Sequence, residues 1–199
     1  MYEIPTTVCV NDKIYSITND GDYRMVLDCF KALEDDELSA SERLLAALII
    51  FYDDFNSIID VYADENLDEL IRKMYEFFNC NSESVGVKSN YKLVDWEQDS
   101  QLICSAINKV ANTEIRSIPY VHWWTFMGYY TAIGECPIST IIHIRDKIVK
   151  GKKLEKHERD FKRENPQYFA WRSKSVDANE ADRLVKELWN QEPQEGGES

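Results

Sequence analysis

Apolar residues recur every three or four positions along most of this chain, the spacing that gathers them on one face of a helix. Val26, Leu27 and Phe30 form such a stripe, with Cys29 adjoining, in a helix predicted over Tyr23 to Leu33. A second predicted helix follows Ser39-Ala40-Ser41-Glu42, the S-x-x-E order of a capping box, and reaches about Phe55. Leu44, Leu45, Leu48, Ile49, Phe51 and Tyr52 make it apolar on most sides, which predicts a well-buried element. Asn66-Leu67-Asp68-Glu69 opens a third, with Leu67, Leu70, Ile71, Met74, Phe77 and Phe78 inward. The next stripe is Leu102, Ile103, Ala106, Ile107 and Val110, with Asp95 to Gln98 as a possible cap.

The run from Ile118 to Ile133 is the densest in aromatic rings and holds the adjacent pair Trp123-Trp124. Pro119 suits the first turn of a helix, since its missing N–H costs nothing there. Trp123, Phe126, Met127 and Tyr130 then fall at helical spacing, so this reads as the central core helix. Gly134 to Pro137 breaks it, a short apolar segment (Ile138, Ile141, Ile142, Ile144) follows, and Asn165-Pro166 ends the basic helix beyond. A last amphipathic helix is predicted from Asp177, carrying Leu184, Val185, Leu188 and Trp189.

Period-two alternation is confined to the start. Thr7-Val8-Cys9-Val10 and Ile14-Tyr15-Ser16-Ile17 flank the polar turn Asn11-Asp12-Lys13 and read as a small hairpin. The fold predicted is mainly α: one helical domain over residues 1–174 with an N-terminal β-hairpin, an amphipathic helix at 175–190, and a disordered tail at 191–199. The polar stretch from Cys80 to Lys92 reads as a loop joining two helical halves.

Composition narrows the class. Hydrophobic residues make up 44% of 199, enough for a packed core. No apolar run is long enough to span a membrane, and the first residues lack the basic and apolar regions of an export signal. Five scattered cysteines with no C-x-x-C suit buried, reduced thiols in a cytosol.

The net charge of −13 is unevenly spread. Residues 1–80 hold 18 acidic and 6 basic side chains. Residues 145–163 hold nine basic ones (Arg145, Lys147, Lys150, Lys152, Lys153, Lys156, Arg159, Lys162, Arg163) and four acidic. Such asymmetry can steer partners or support head-to-tail self-association; solvated helix faces of different sign are the equal alternative.

Candidate chemistry is sparse. His122 sits among aromatics with no nucleophile placed by a motif, so a core histidine with a local hydrogen bond outweighs an acid–base role. His143 and His157 lack metal-ligand spacing. The acidic runs Glu34 to Glu37 and Asp53-Asp54 read as solvated loop charge. Phosphate-cradle and serine-hydrolase motifs are absent, and no catalytic residue, metal ligand or cofactor site is assigned. The expectation is a protein that is not an enzyme. The basic stretch is interleaved with acids in an acidic chain, which weighs against nucleic acid. Trp171 and Trp189 are better candidates for a protein partner.

Four stretches together resemble the bacteriophage gene-product-fifteen family. They are Lys13 to Asp20 running into Tyr23-Arg24, the helix from Glu42 to Tyr52, the segment Tyr91 to Ile107, and Val121-His122-Trp123-Trp124-Thr125-Phe126. The last looks like the family's L-H-W-W-x-F signature, with valine for the usual leucine, and is the most specific. The similarity covers about residues 7 to 170 and makes His122, Trp123, Trp124 and Phe126 the signature core. The family's genes lie between those of the major tail protein and the tape-measure protein. The resemblance therefore implies a tail assembly chaperone or tail morphogenesis factor that binds the tape-measure protein in the host cytoplasm and is absent from the mature virion. The major tail protein and further copies of the chain are additional expected partners, with Lys152, Lys153, Lys156, Trp171 and Trp189 as contact residues. The alternatives are a nucleic-acid-binding phage protein using residues 145–163, or a minor structural tail protein.

Overall fold

A computed structural model describes residues 3–53, 67–82 and 92–170. Strands β1 (Thr7–Val10) and β2 (Lys13–Ser16) pair antiparallel, with Val10 opposite Lys13. The turn is thus two residues, Asn11 and Asp12, rather than the three predicted, and Lys13 belongs to β2. Both turn residues have positive φ (48° and 64°), the geometry whose twist matches a hairpin and which Asn and Asp tolerate best. The hairpin buries Val10 and Tyr15, while Ile14 on the opposite side is 70% exposed.

Seven α-helices follow among the described residues: α1 (Tyr23–Leu33), α2 (Ala40–Phe51), α3 (Leu67–Phe78), α4 (Ser100–Ala111), α5 (Trp123–Thr131), α6 (Pro137–Val149) and α7 (Lys156–Glu164). The mainly α fold with a small N-terminal hairpin is therefore as the sequence predicts. The Ser39 capping box is present: its hydroxyl accepts from the Glu42 N–H at 3.4 Å, and Glu42 Oε2 accepts from the Ser39 N–H at 2.8 Å.

Helix α2 is shorter and more one-sided than predicted. It stops at Phe51 because Tyr52 turns extended and bridges Ile17, while the Asp53 N–H donates to the Ser16 carbonyl. Leu44, Ala47, Leu48 and Phe51 are buried, but Ile49 is exposed. In α3, Leu70, Ile71, Met74, Phe77 and Phe78 face inward as expected, with Leu67 partly buried. The cap expected at Asn66 falls outside the described residues.

Helix α4 begins at Ser100, so Asp95 does not cap it. Asp95 instead heads a turn, its Oδ1 accepting from the N–H groups of Glu97 and Gln98 at 3.1 and 2.8 Å. Burial opposes ionisation there, but the Gln98 N–H and the Lys92 ammonium outweigh it and hold the Asp95 carboxyl below its ordinary value. Pro137 opens α6 at its first turn, where its ring is tolerated.

All five cysteines are free thiols, but only Cys29 and Cys104 are buried, and Cys9 on the hairpin is exposed. The expectation of uniformly buried thiols therefore does not hold, because Cys9 alternates outward on a two-stranded sheet. No described helix is long and apolar enough to cross a membrane. The segments 175–190 and 191–199, most of the Cys80–Lys92 loop, and the second half of Asp53-Asp54 lie outside the described residues.

Candidate functional site: a signature cluster and a lysine-bearing connection

The aromatic helix starts later than its proline suggests. α5 begins at Trp123, and Pro119 lies in the extended approach to it. That approach is needed elsewhere. The Val121 N–H donates to Asp22 Oδ2 at 2.9 Å, and the Tyr23 N–H donates to the Val121 carbonyl at 2.9 Å. Asp22 and His122 form an antiparallel bridge. Each is also an N-cap: Asp22 Oδ1 accepts from the Arg24 N–H, and His122 Nδ1 accepts from the Trp124 N–H at 3.1 Å. Two helices thus start side by side, each capped by the residue that joins it to the other. The Arg24 guanidinium secures the junction, pairing with Asp22 and donating to the Ile118 carbonyl at 2.7 Å.

His122 is buried with both ring nitrogens engaged. Nδ1 is an acceptor, so Nε2 carries the proton and donates to the Pro5 carbonyl at 3.0 Å. Burial pushes the imidazole below its ordinary value, against the smaller opposing pull of the Pro5 carbonyl and the Asp22 carboxylate. A histidine kept neutral in the fold and free to protonate when unfolded makes stability fall as pH drops below about 6.5. His122→Asn keeps a capping oxygen but cannot titrate. Denaturant midpoints measured from pH 7.5 to 5 are expected to fall less steeply in this variant; parallel profiles would refute the assignment.

The paired indoles do a joint task. Trp123 Nε1 donates to the Phe78 carbonyl at 2.9 Å, and Trp124 Nε1 donates to the Phe77 carbonyl at 3.0 Å. These are the last two residues of α3, whose end carbonyls have no partner within the helix. The signature tryptophans therefore close the C-terminus of another helix. Tyr23 stacks flat on Phe126 with centroids 4.4 Å apart. Gly21, at φ +80°, sits so close to Phe77 and His122 that a Cβ there would lie 2.7 and 2.9 Å from them. A side chain at this position meets both steric conflict and backbone strain. Hence the Lys13–Arg24 and Val121–Phe126 motifs, distant in sequence, build one cluster.

The basic stretch is less basic at the surface than its count suggests. Arg145 is 2% exposed and pairs with the wholly buried Asp99, Nη1 to Oδ2 at 2.5 Å and Nη2 to Oδ1 at 3.0 Å. It also donates to the carbonyls of Leu93 and Tyr168. Its place i+4 from Ile141 and i+7 from Ile138 was the available signal that it faces inward. Lys147 pairs with Glu158 at 2.5 Å, Lys150 with Asp146 at 2.5 Å, and Arg163 with Asp160 at 2.9 Å. The Lys147 ammonium, then the Glu155 N–H, hold Glu158 below the usual carboxylate range.

Lys152, Lys153, Lys156, Arg159 and Lys162 remain, all exposed and without an ion pair among the described residues; Arg159 donates to the Leu154 carbonyl at 2.6 Å. Gly151, at φ +63°, turns the chain out of α6 and sets Lys152 and Lys153 on the connection to α7. Trp171 and Trp189 lie outside the described residues. His143 and His157 are exposed and lie near Glu158 and Glu155 respectively. Among the described residues, no three His, Cys, Asp or Glu side chains are grouped to hold a metal ion.

A mainly α body with an N-terminal hairpin, tied together by the histidine–tryptophan motif, defines the class. A family model described as Bacteriophage Gp15 protein matches residues 2–170, and the chain belongs to that family. No curated protein and no solved structure matches it.

Proposed function

We propose that this phage protein is a tail assembly chaperone or tail morphogenesis factor that binds the tape-measure protein by protein–protein contact, without turning over a substrate. Membership of the Gp15 family carries the reading, together with the position of that family's genes beside the tape-measure gene. The use of the buried polar groups supports it. His122 spends both ring nitrogens on backbone groups, Asp22 caps and bridges helices, and Asp99 is held by Arg145. These groups are committed to architecture, leaving the surface for contact. The net charge of −13 favours solubility while the protein holds an apolar client. The protein acts in the host cytoplasm and leaves before the virion is complete.

Co-expression with the neighbouring tape-measure gene, followed by pull-down, is expected to recover the two together. Recovery of the protein alone from a soluble co-expression would overturn the reading. Mass spectrometry of finished virions is expected not to find it; stoichiometric presence there would make it a structural tail part.

A further inference from the structure

A cleft of about 620 Å³ lies between α1, the α1–α2 connection and the turn before α4. Its apolar side is formed by Leu27, Phe30 and the half-buried Trp96. Phe30 and Trp96 lie with ring centroids 6.3 Å apart, and Trp96 is wedged against Trp123 at 5.8 Å, so this wall is continuous with the signature cluster. The rim is acidic. Lys92 is shared between Glu34 at 2.6 Å and Asp95 at 3.5 Å, and Arg43 lies 3.6 Å from Asp36. Asp28, Asp35, Glu37 and Glu97 have no ion pair among the described residues, and Lys31 stands beside them on the same lining, also outside an ion pair.

The same chain carries the complement. Lys152 and Lys153 on the α6–α7 connection and Lys156 at the first residue of α7 are exposed and have no ion pair among the described residues, beside the half-buried Leu154. Three lysines and the single acid Glu155 surround one apolar side chain; four carboxylates and the single cation Lys31, outside ion pairs, surround an apolar wall, so the two surfaces are opposite in sign. We propose that the cleft receives the Lys152–Lys156 connection of a second copy of this chain, the lysines on the acidic rim and Leu154 against Leu27, Phe30 and Trp96.

Donor and acceptor surfaces differ, so the contact closes as a two-fold pair where both clefts are filled at once, and otherwise runs head-to-tail into rings or open chains. Like-charged rims also discourage cleft-to-cleft pairing. Self-association of this kind needs no tape-measure protein.

Sedimentation velocity of the full chain tests it. At 50 mM salt the protein is expected to associate with rising concentration, and 500 mM salt is expected to reverse this, since exposed charges are then screened. Two reversed variants, K152E/K153E/K156E and D35K/E37K, are each expected to weaken association by roughly tenfold or more. Circular dichroism melts matching the parent establish that both fold. In an equimolar mixture the unaltered lysines of D35K/E37K meet the unaltered acidic rim of the triple variant, as in the parent, and association between the two is expected to recover. A parent that stays monomeric at 50 mM salt, a lysine variant that still associates, or a mixture that stays dissociated overturns the proposal.

Discussion

Replacing Asp99 by asparagine is expected to destabilise the fold by about 3–5 kcal/mol, because it strands the Arg145 charge where water cannot reach it. Among the described residues the guanidinium meets both Asp99 oxygens and the carbonyls of Leu93 and Tyr168. These join the start of α4, the segment before it and the turn after α7 onto one side chain of α6. Arg145→Lys is expected to cost nearly as much, since one ammonium cannot reproduce the planar fork. The double variant Asp99→Leu with Arg145→Met is expected to recover part of the loss. Recovery is incomplete because the Leu93 and Tyr168 carbonyls stay without their donor. Urea midpoints for the single and double variants provide the cycle, and strictly additive costs would show that the pair is not coupled.

Truncating Trp123 to alanine is expected to cost about 3–5 kcal/mol, the range for removing a large buried aromatic. Trp123 touches the rings of Phe30, Trp96 and Phe126 and closes the end of α3. Trp123→Phe separates the two roles. It keeps most of the packing but leaves the Phe78 carbonyl unpaired, for an expected cost of about 1–3 kcal/mol. Trp124 is half-buried, so Trp124→Phe is expected to cost less than Trp123→Phe. Denaturation followed by circular dichroism ranks them; a Trp124 variant as damaging as the Trp123 variant would contradict the division of labour.

Much of the architecture was legible because local rules and tertiary packing agree. The stripe of α3 and the reciprocal cap of α2 are written in three- and four-residue spacings, and the structure uses them unchanged. The misses arise where a distant segment decides. Phe51 ends α2 because Ile17 recruits Tyr52 into a bridge, and nothing within α2 announces that. Pro119 looks like a helix start, yet Asp22 holds Val121 extended and delays the helix to Trp123. Arg145 looked like surface charge because a residue count is blind to which face it occupies. The lysines at 152, 153 and 156 were legible as exposed charge, whereas the cleft was not. Its walls come from residues 27–37 and 95–97, and only the packed structure brings them together.

The mutual capping of Asp22 and His122 also has a consequence in time. The residues that begin α1 leave the ribosome about a hundred positions before the carbonyl and amide of Val121 that complete their bonding. Until then α1 lacks its neighbour, and α3 lacks the indoles that finish it. Non-local closure of this kind slows folding and lengthens the exposure of apolar faces. The N-terminal half also carries most of the excess negative charge, and like charge of this kind opposes contact between two such unfinished chains.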